Sequence, residues 1–125
     1  MIDHVSIAVR DLERGTRFYE AVLGAIGYGR LEARAATVGF GKRYPDFWLN
    51  KRPDAWPVPA DSGAHVCLRA PSVAAVDAFH AAALAAGGTS DGAPGLRPHF
   101  GKGYYAAFIR DLDGNRVEAV TFVDG

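Results

Sequence analysis

Residues 2–9 alternate between apolar and small or polar positions. Val5, Ile7 and Val9 fall on one side and His4, Ser6 and Ala8 on the other, the period of a strand with one face in a core. The second side, small and polar with one imidazole, suits the lining of a cavity. Asp11 predicts a helix N-cap, and Leu12, Tyr19, Val22 and Leu23 follow at helical spacing, with Gly24 as the stop. Three short strands are expected near 28–33, 36–40 and 46–50. Residues 51–63, KRPDAWPVPADSG, carry three prolines and no period, and read as a linker between two halves.

After the linker the pattern restarts. Residues 64–69 form a strand with His65, Cys67 and Arg69 on one face and Val66 and Leu68 on the other. Ser72 caps a second helix whose expected buried stripe is Val73, Val76, Phe79, Ala83 and Leu84, ended by Gly87 and Gly88. The glycine-rich stretch 87–103 is expected to hold one short strand near 96–100. Residues 104–122, YYAAFIRDLDGNRVEAVTF, read as two strands joined at Asp111-Leu112-Asp113-Gly114-Asn115, with Asp-Gly-Asn supplying positive-φ positions. Inside the second of these strands sits Glu118, an acid in an apolar run that must face solvent, a partner or a metal. The order β-α-β-β-β thus occurs twice, an α+β arrangement, and each copy opens with a histidine. A pseudo-two-fold relating the copies would set His4 and His65 on equivalent strands, facing each other across the axis.

Composition narrows the function classes. A chain of 125 residues, 49% of them hydrophobic, is long enough to bury one core. Fourteen basic against fourteen acidic residues give zero formal charge, which removes the electrostatic case for nucleic acid or an anionic membrane. No run of about 18 apolar residues and no signal-like start is present, so the expected location is cytoplasmic. Cys67 is the one cysteine, which closes the internal-disulfide and tetra-cysteine zinc options.

At this point the chain resembles the vicinal oxygen chelate superfamily, which includes glyoxalase I, fosfomycin-resistance thiol transferases, extradiol dioxygenases and bleomycin-binding proteins. The resemblance covers essentially the whole chain. It is carried by His4 in HVSIAVRDLERGTRFYEAVLG, His65 in HVCLRA and Glu118 in DLDGNRVEAV. It implies one domain over 1–125, with module one at 1–50, the linker at 51–63 and module two at 64–125. The two βαβββ modules would form a cupped eight-stranded mixed sheet with the helices outside. It also implies a divalent metal in the cup, held by His4, His65 and Glu118. Two imidazoles and a carboxylate suit Fe(II) or Mn(II), with Zn(II), Ni(II) and Co(II) also open. The fourth ligand position of the superfamily falls near Trp48 or Leu49, where no obvious ligand stands; Asp46 lies at the start of that strand. This departs from glyoxalase I and fits the three-ligand pattern of the transferases and dioxygenases. Yet no arginine follows Glu118 to match the one those transferases use, and the chain is under half the length of a two-domain dioxygenase. Homodimerisation is a further implication.

Ser6 shares the side of His4, either as a hydrogen-bond donor to substrate or as a small residue that leaves room. Cys67 stands in the same relation to His65 and is read as a spectator thiol. The segment 99–105 offers His99 and Tyr104 as catalytic groups and Lys102 as an anion contact, against the plain reading of a strand connection. Arg43, in a turn that lacks phosphate-loop spacing, and Trp48 are further substrate contacts. His80 and Trp56 have no functional case. The function expected is a metal-dependent lyase, isomerase or transferase acting on a small oxygen-rich metabolite or antibiotic. An Fe(II) extradiol-type dioxygenase is one alternative, and a metal-free, ligand-sequestering protein of the bleomycin-resistance kind is another.

Overall fold

The computed structural model describes residues 1–124. β1 (Val5–Val9), α1 (Leu12–Gly24), β2 (Gly29–Ala33), β3 (Thr37–Gly41) and β4 (Phe47–Lys51) make one βαβββ unit. β5 (Val66–Arg69), α2 (Val73–Ala85), β6 (Thr89–Leu96), β7 (Tyr104–Arg110) and β8 (Arg116–Phe122) make the second. Hydrogen bonding repeats with the sequence. The strand orders are β1-β4-β3-β2 and β5-β8-β7-β6, and in each the opening strand runs parallel to the last while the other pairs are antiparallel. The α+β two-module fold is therefore as expected, with the eight strands divided between two four-stranded mixed sheets. β1 and β5 each keep one edge free of ladder bonds and turn Val5, Ile7, Val66 and Leu68 against the common core.

Local sequence explains the elements. The Asp11 carboxylate accepts from Arg14 N at 3.0 Å and the Ser72 hydroxyl from Ala75 N at 3.1 Å, each satisfying an orphan amide of its helix. α1 buries Phe18, Tyr19, Val22 and Leu23. It ends at Gly24, the expected stop, and the chain turns away through Gly27 at φ 90°. α2 buries Ala75, Val76, Phe79 and Ala83, whereas Val73 and Leu84, expected in its stripe, are exposed. A helix written VAAVDAFHAAALA is apolar on most sides, so the period alone does not fix its rotation; packing against α1, β6 and β7 does.

The expected strand at 96–100 is instead β6, which ends at Leu96. Gly92, Pro94 and Gly95 read as loop residues. In the outermost strand of the second sheet they are accommodated by register shifts between Ser90 and Gly92 and between Gly92 and Gly95. In the turn between β7 and β8 only Gly114 has positive φ, at 88°. The turn is organised by Asp111, buried, whose carboxylate accepts from Asp113 N, from Asn115 N and Nδ2, and from the Tyr19 hydroxyl at 2.7 Å. Asn115 Nδ2 also donates to Ala8 O and Arg10 Nε to Asp113, so this turn ties the two units together. The linker is pinned where Arg116 donates to the carbonyls of Ala60 and Ser62 and Val58 N to Asp113 O. No helix of the described residues is long and apolar enough to cross a membrane.

Candidate functional site

Strand alternation sorts β8 into two sets. Val117 and Ala119 belong to the core under α2, and Glu118 points to the opposite, open face of the second sheet. Across that face Glu118 is flanked by Cys67 on β5 and Phe108 on β7. Glu118 is only 2% exposed. Its Oε1 lies 3.1 Å from His65 Nε2, and its Oε2 accepts from the Tyr104 hydroxyl. Both carboxylate oxygens are thus partnered, which is what permits an acid to be buried in an apolar strand. His65, just ahead of β5, remains half-exposed, so its ring is reachable from solvent. Cys67 Sγ sits 3.9 Å from the Tyr104 hydroxyl. Although part of Cys67 reaches solvent, desolvation of its thiol, reinforced by the Glu118 charge, pushes it up to about 12. Burial and the hydrogen bond to Glu118 raise Tyr104 well above the ordinary phenol range.

Of the residues singled out in the sequence, His65, Glu118 and Tyr104 therefore meet, with Cys67 beside them. His4 does not join them. Its Nδ1 lies 2.7 Å from Asp3 Oδ1, and Asp3 also accepts from the Tyr44 hydroxyl. Among the described residues no three His, Cys, Asp or Glu side chains are grouped closely enough to hold a metal ion. His4 and His65 do border one groove of about 350 Å³ between the starts of β1 and β5. Asp46 lines it as well, with its Oδ1 unpartnered among the described residues and its carboxyl raised by burial.

The repeat fixes what stands in the fourth ligand position. β1 pairs Ser6 with Trp48 as β5 pairs Cys67 with Glu118. Trp48 therefore occupies the place of Glu118 in the first sheet, while Leu49 points into the core. The indole donates to Pro45 O at 3.0 Å and lies on Gly39, where an added Cβ would meet the ring at 3.0 Å. The Arg34 guanidinium sits over it, 5.0 Å from the ring centroid. Together with His4, Ser6 and Asn50 they border an open cleft of about 480 Å³ on the first sheet. His99 stacks beside Phe100, with ring centroids 4.1 Å apart, and is exposed, as are Lys102 and Arg43. His80 binds the Ser90 hydroxyl at 2.8 Å on the second helix, and Trp56 is almost wholly exposed.

Two residues of this face escaped the sequence reading, Arg69 and Arg97. Alternation already set Arg69 on the side of His65 and Cys67. Arg97 follows a stretch of glycine and proline whose strand character only the sheet pairing reveals.

The family model described as the Glyoxalase/Bleomycin resistance protein/Dioxygenase superfamily matches residues 1–119. The chain belongs to this superfamily. Among solved structures, a glyoxalase/bleomycin resistance protein from Albidiferax ferrireducens is 35% identical, with 94% of this chain and 96% of that one covered and a TM-score of 0.82. Glyoxalase I from Zea mays matches at 24% identity and a TM-score of 0.74, covering 94% of this chain and 44% of that one. A superfamily enzyme from Burkholderia phytofirmans matches at 19% identity over 98% of each chain, with a TM-score of 0.74. At the last two identities the likeness is one of fold. No curated protein matches the chain.

Proposed function

We propose that this superfamily member is a metal-dependent enzyme acting as a Lewis-acid lyase, isomerase or transferase on a small oxygen-rich molecule, with His65, Glu118 and His4 as the metal ligands. The observation that carries the reading is the approach of His65 Nε2 to Oε1 of the buried Glu118 at 3.1 Å, with the other carboxylate oxygen held by Tyr104. One chain brings together two of the three proposed ligands. The third, His4, stands at the head of β1 on the open face of the first sheet, the position His65 holds in the second. We therefore assign the complete site to a homodimer in which His4 of a second copy meets His65 and Glu118.

A divalent ion held there supplies Lewis-acid polarisation of neighbouring substrate oxygens. The rest is the work of the chain. Glu118 is fixed in a strand, and Tyr104 engages Oε2, so Oε1 is the oxygen presented with His65 Nε2. Carboxylate ligands anchored in this way hold their metals more tightly than free ones. His65, half-exposed, keeps the site open to substrate.

Elemental analysis of the purified protein, after exposure to Fe(II), Mn(II), Zn(II), Ni(II) and Co(II) in turn, tests the reading. Near-stoichiometric metal is expected in the parent and loss of it in His65→Ala, Glu118→Gln and His4→Ala. Co-expressed His4→Ala and Glu118→Gln chains should regain metal, because a mixed dimer contains one intact site. Mixed dimers that stay empty while the parent is loaded would exclude the shared site. A parent that takes up none of the five ions would sink the metal reading. The second reading, a metal-free ligand-sequestering protein, would then hold; it is favoured by the engagement of His4 with Asp3 and the lack of a three-residue metal group among the described residues.

A further inference from the structure

The open face of the second sheet carries four arginines, and they are not alike. Arg110 and Arg116 both reach Asp91, at 3.2 and 3.5 Å. Arg69 and Arg97 have no carboxylate partner among the described residues. Each instead lies on an aromatic ring of this face. The Arg69 guanidinium sits 4.8 Å from the Phe122 centroid and that of Arg97 sits 5.5 Å from Phe108. Cation–π stacking of this kind fixes a guanidinium in place without neutralising it.

The seat of Arg97 is built into β6. A Cβ on Gly92 would come within 3.3 Å of its Nη2 and one on Gly95 within 3.0 Å of its Nη1, so the two glycines leave the trough in which the guanidinium lies. One Nη2 bond goes to Ala93 O at 2.6 Å, and the remaining donors of the fork are left for a ligand. Phe108 pairs across the ladder with Glu118 and Gly92 with Phe108, so the trough is two strand spacings, about 10 Å, from Glu118. Arg69 is two residues beyond Cys67, the direct neighbour of Glu118 on the other side. Two fixed, uncompensated guanidinium groups thus flank the His65–Glu118 pair, one from each side.

We propose that Arg97, in the trough of β6, is an acid-recognition subsite, and that the ligand of this site is an organic anion whose carboxylate or phosphate docks on it while its other oxygens face His65 and Glu118. The substrate class deepens the metal-enzyme reading and rests on it for the second half of that statement. The anion half stands on Arg97 alone. Guanidinium matches both oxyanions through paired hydrogen bonds, so the chemistry common to carboxylate and phosphate is what the geometry selects.

The test is isothermal titration of metal-stripped protein with benzoate, phenyl phosphate and, as the neutral control, benzamide. Saturable binding of at least one anion is expected, and the stronger of the two identifies the source of the charge. Benzamide should bind at least about tenfold more weakly, as befits loss of a charge-assisted contact. Arg97→Met should weaken the anion by about tenfold and Arg97→Lys by less, whereas Arg69→Met, on the far side of the His65–Glu118 pair, should not. Gly92→Ala keeps both charges but fills the trough, and should also weaken it. Benzamide binding as well as benzoate, parental affinity in the folded Arg97→Met variant, or no saturable binding of either anion would overturn the proposal. Metal content is measured on the same samples. An empty parent that still binds benzoate through Arg97 defeats the metal reading and leaves the subsite standing.

Discussion

Cys67 and Tyr104 stand on either side of Glu118 and respond to its charge. The thiol is pushed up to about 12 first by desolvation and then by Glu118, so near neutral pH it stays protonated and unreactive, despite its place beside a candidate active site. Alkylation by iodoacetamide at pH 8 should run at least about 100-fold slower in the folded protein than in the urea-unfolded chain, because the reactive species is the thiolate. The folded rate should climb only as pH approaches about 12. Glu118→Gln removes the second cause and leaves the first, so it should move the rate–pH profile to lower pH without restoring an ordinary thiol. An unmoved profile would mean that burial alone controls Cys67. The spectator role read for this cysteine in the sequence is consistent with this environment, although the sequence offered only the lack of an activating neighbour. The acid that suppresses it lies 51 positions away and becomes adjacent through the β5–β8 pairing.

Elements were legible where side-chain period and cap chemistry agreed. Asp11 and Ser72 fixed both helix starts because an N-cap acts on amides only two or three residues away. β6 was displaced because its Gly92, Pro94 and Gly95 are explained by tertiary contacts, an outer sheet position and the seat of Arg97. Glycines separate local from tertiary demands in the helices too. At Gly88, just beyond α2, an added Cβ would lie 2.7 Å from Arg110 O, 2.9 Å from Phe18 Cε1 and 3.0 Å from Ala83 O, so two backbone carbonyls and a core ring crowd it at once. At Gly24, the last residue of α1, it would meet nothing within 4 Å. Gly88→Ala should therefore cost about 1–3 kcal/mol in overpacking. Gly24→Ala should gain about 0.5 kcal/mol, since alanine loses less backbone freedom in a helix. Urea midpoints of the two variants against the parent check both signs. A neutral Gly88→Ala would mean that the α2–β6 connection moves aside freely.

At the scale of the whole molecule, the repeat that organises the sequence also organises its chemistry. The duplicated βαβββ order and the two opening histidines were visible in the pattern, as was Glu118, because a charge inside an apolar strand stands out. The separation of His4 from that pair was not, because it depends on how two sheets are set against one core. Register sharpens the comparison: His4 corresponds to His65, Ser6 to Cys67, and Trp48 to Glu118. The first sheet thus offers one of the proposed ligands and an indole where the second offers an imidazole and a carboxylate. If the open faces of the two sheets meet across a dimer, Trp48 is the nearest place from which a fourth ligand can come. Trp48→Glu should then tighten Mn(II) binding by about tenfold, or about 1.4 kcal/mol, measured by titration calorimetry. Trp48→Gln, equal in size but uncharged, should not. The substitution also releases the bond from Nε1 to Pro45 O and the packing on Gly39, so the circular dichroism of both variants must match the parent for the comparison to count. Equal Mn(II) affinity in parent, Trp48→Glu and Trp48→Gln would mean that the face of the first sheet stays away from the ion, and His4 with it.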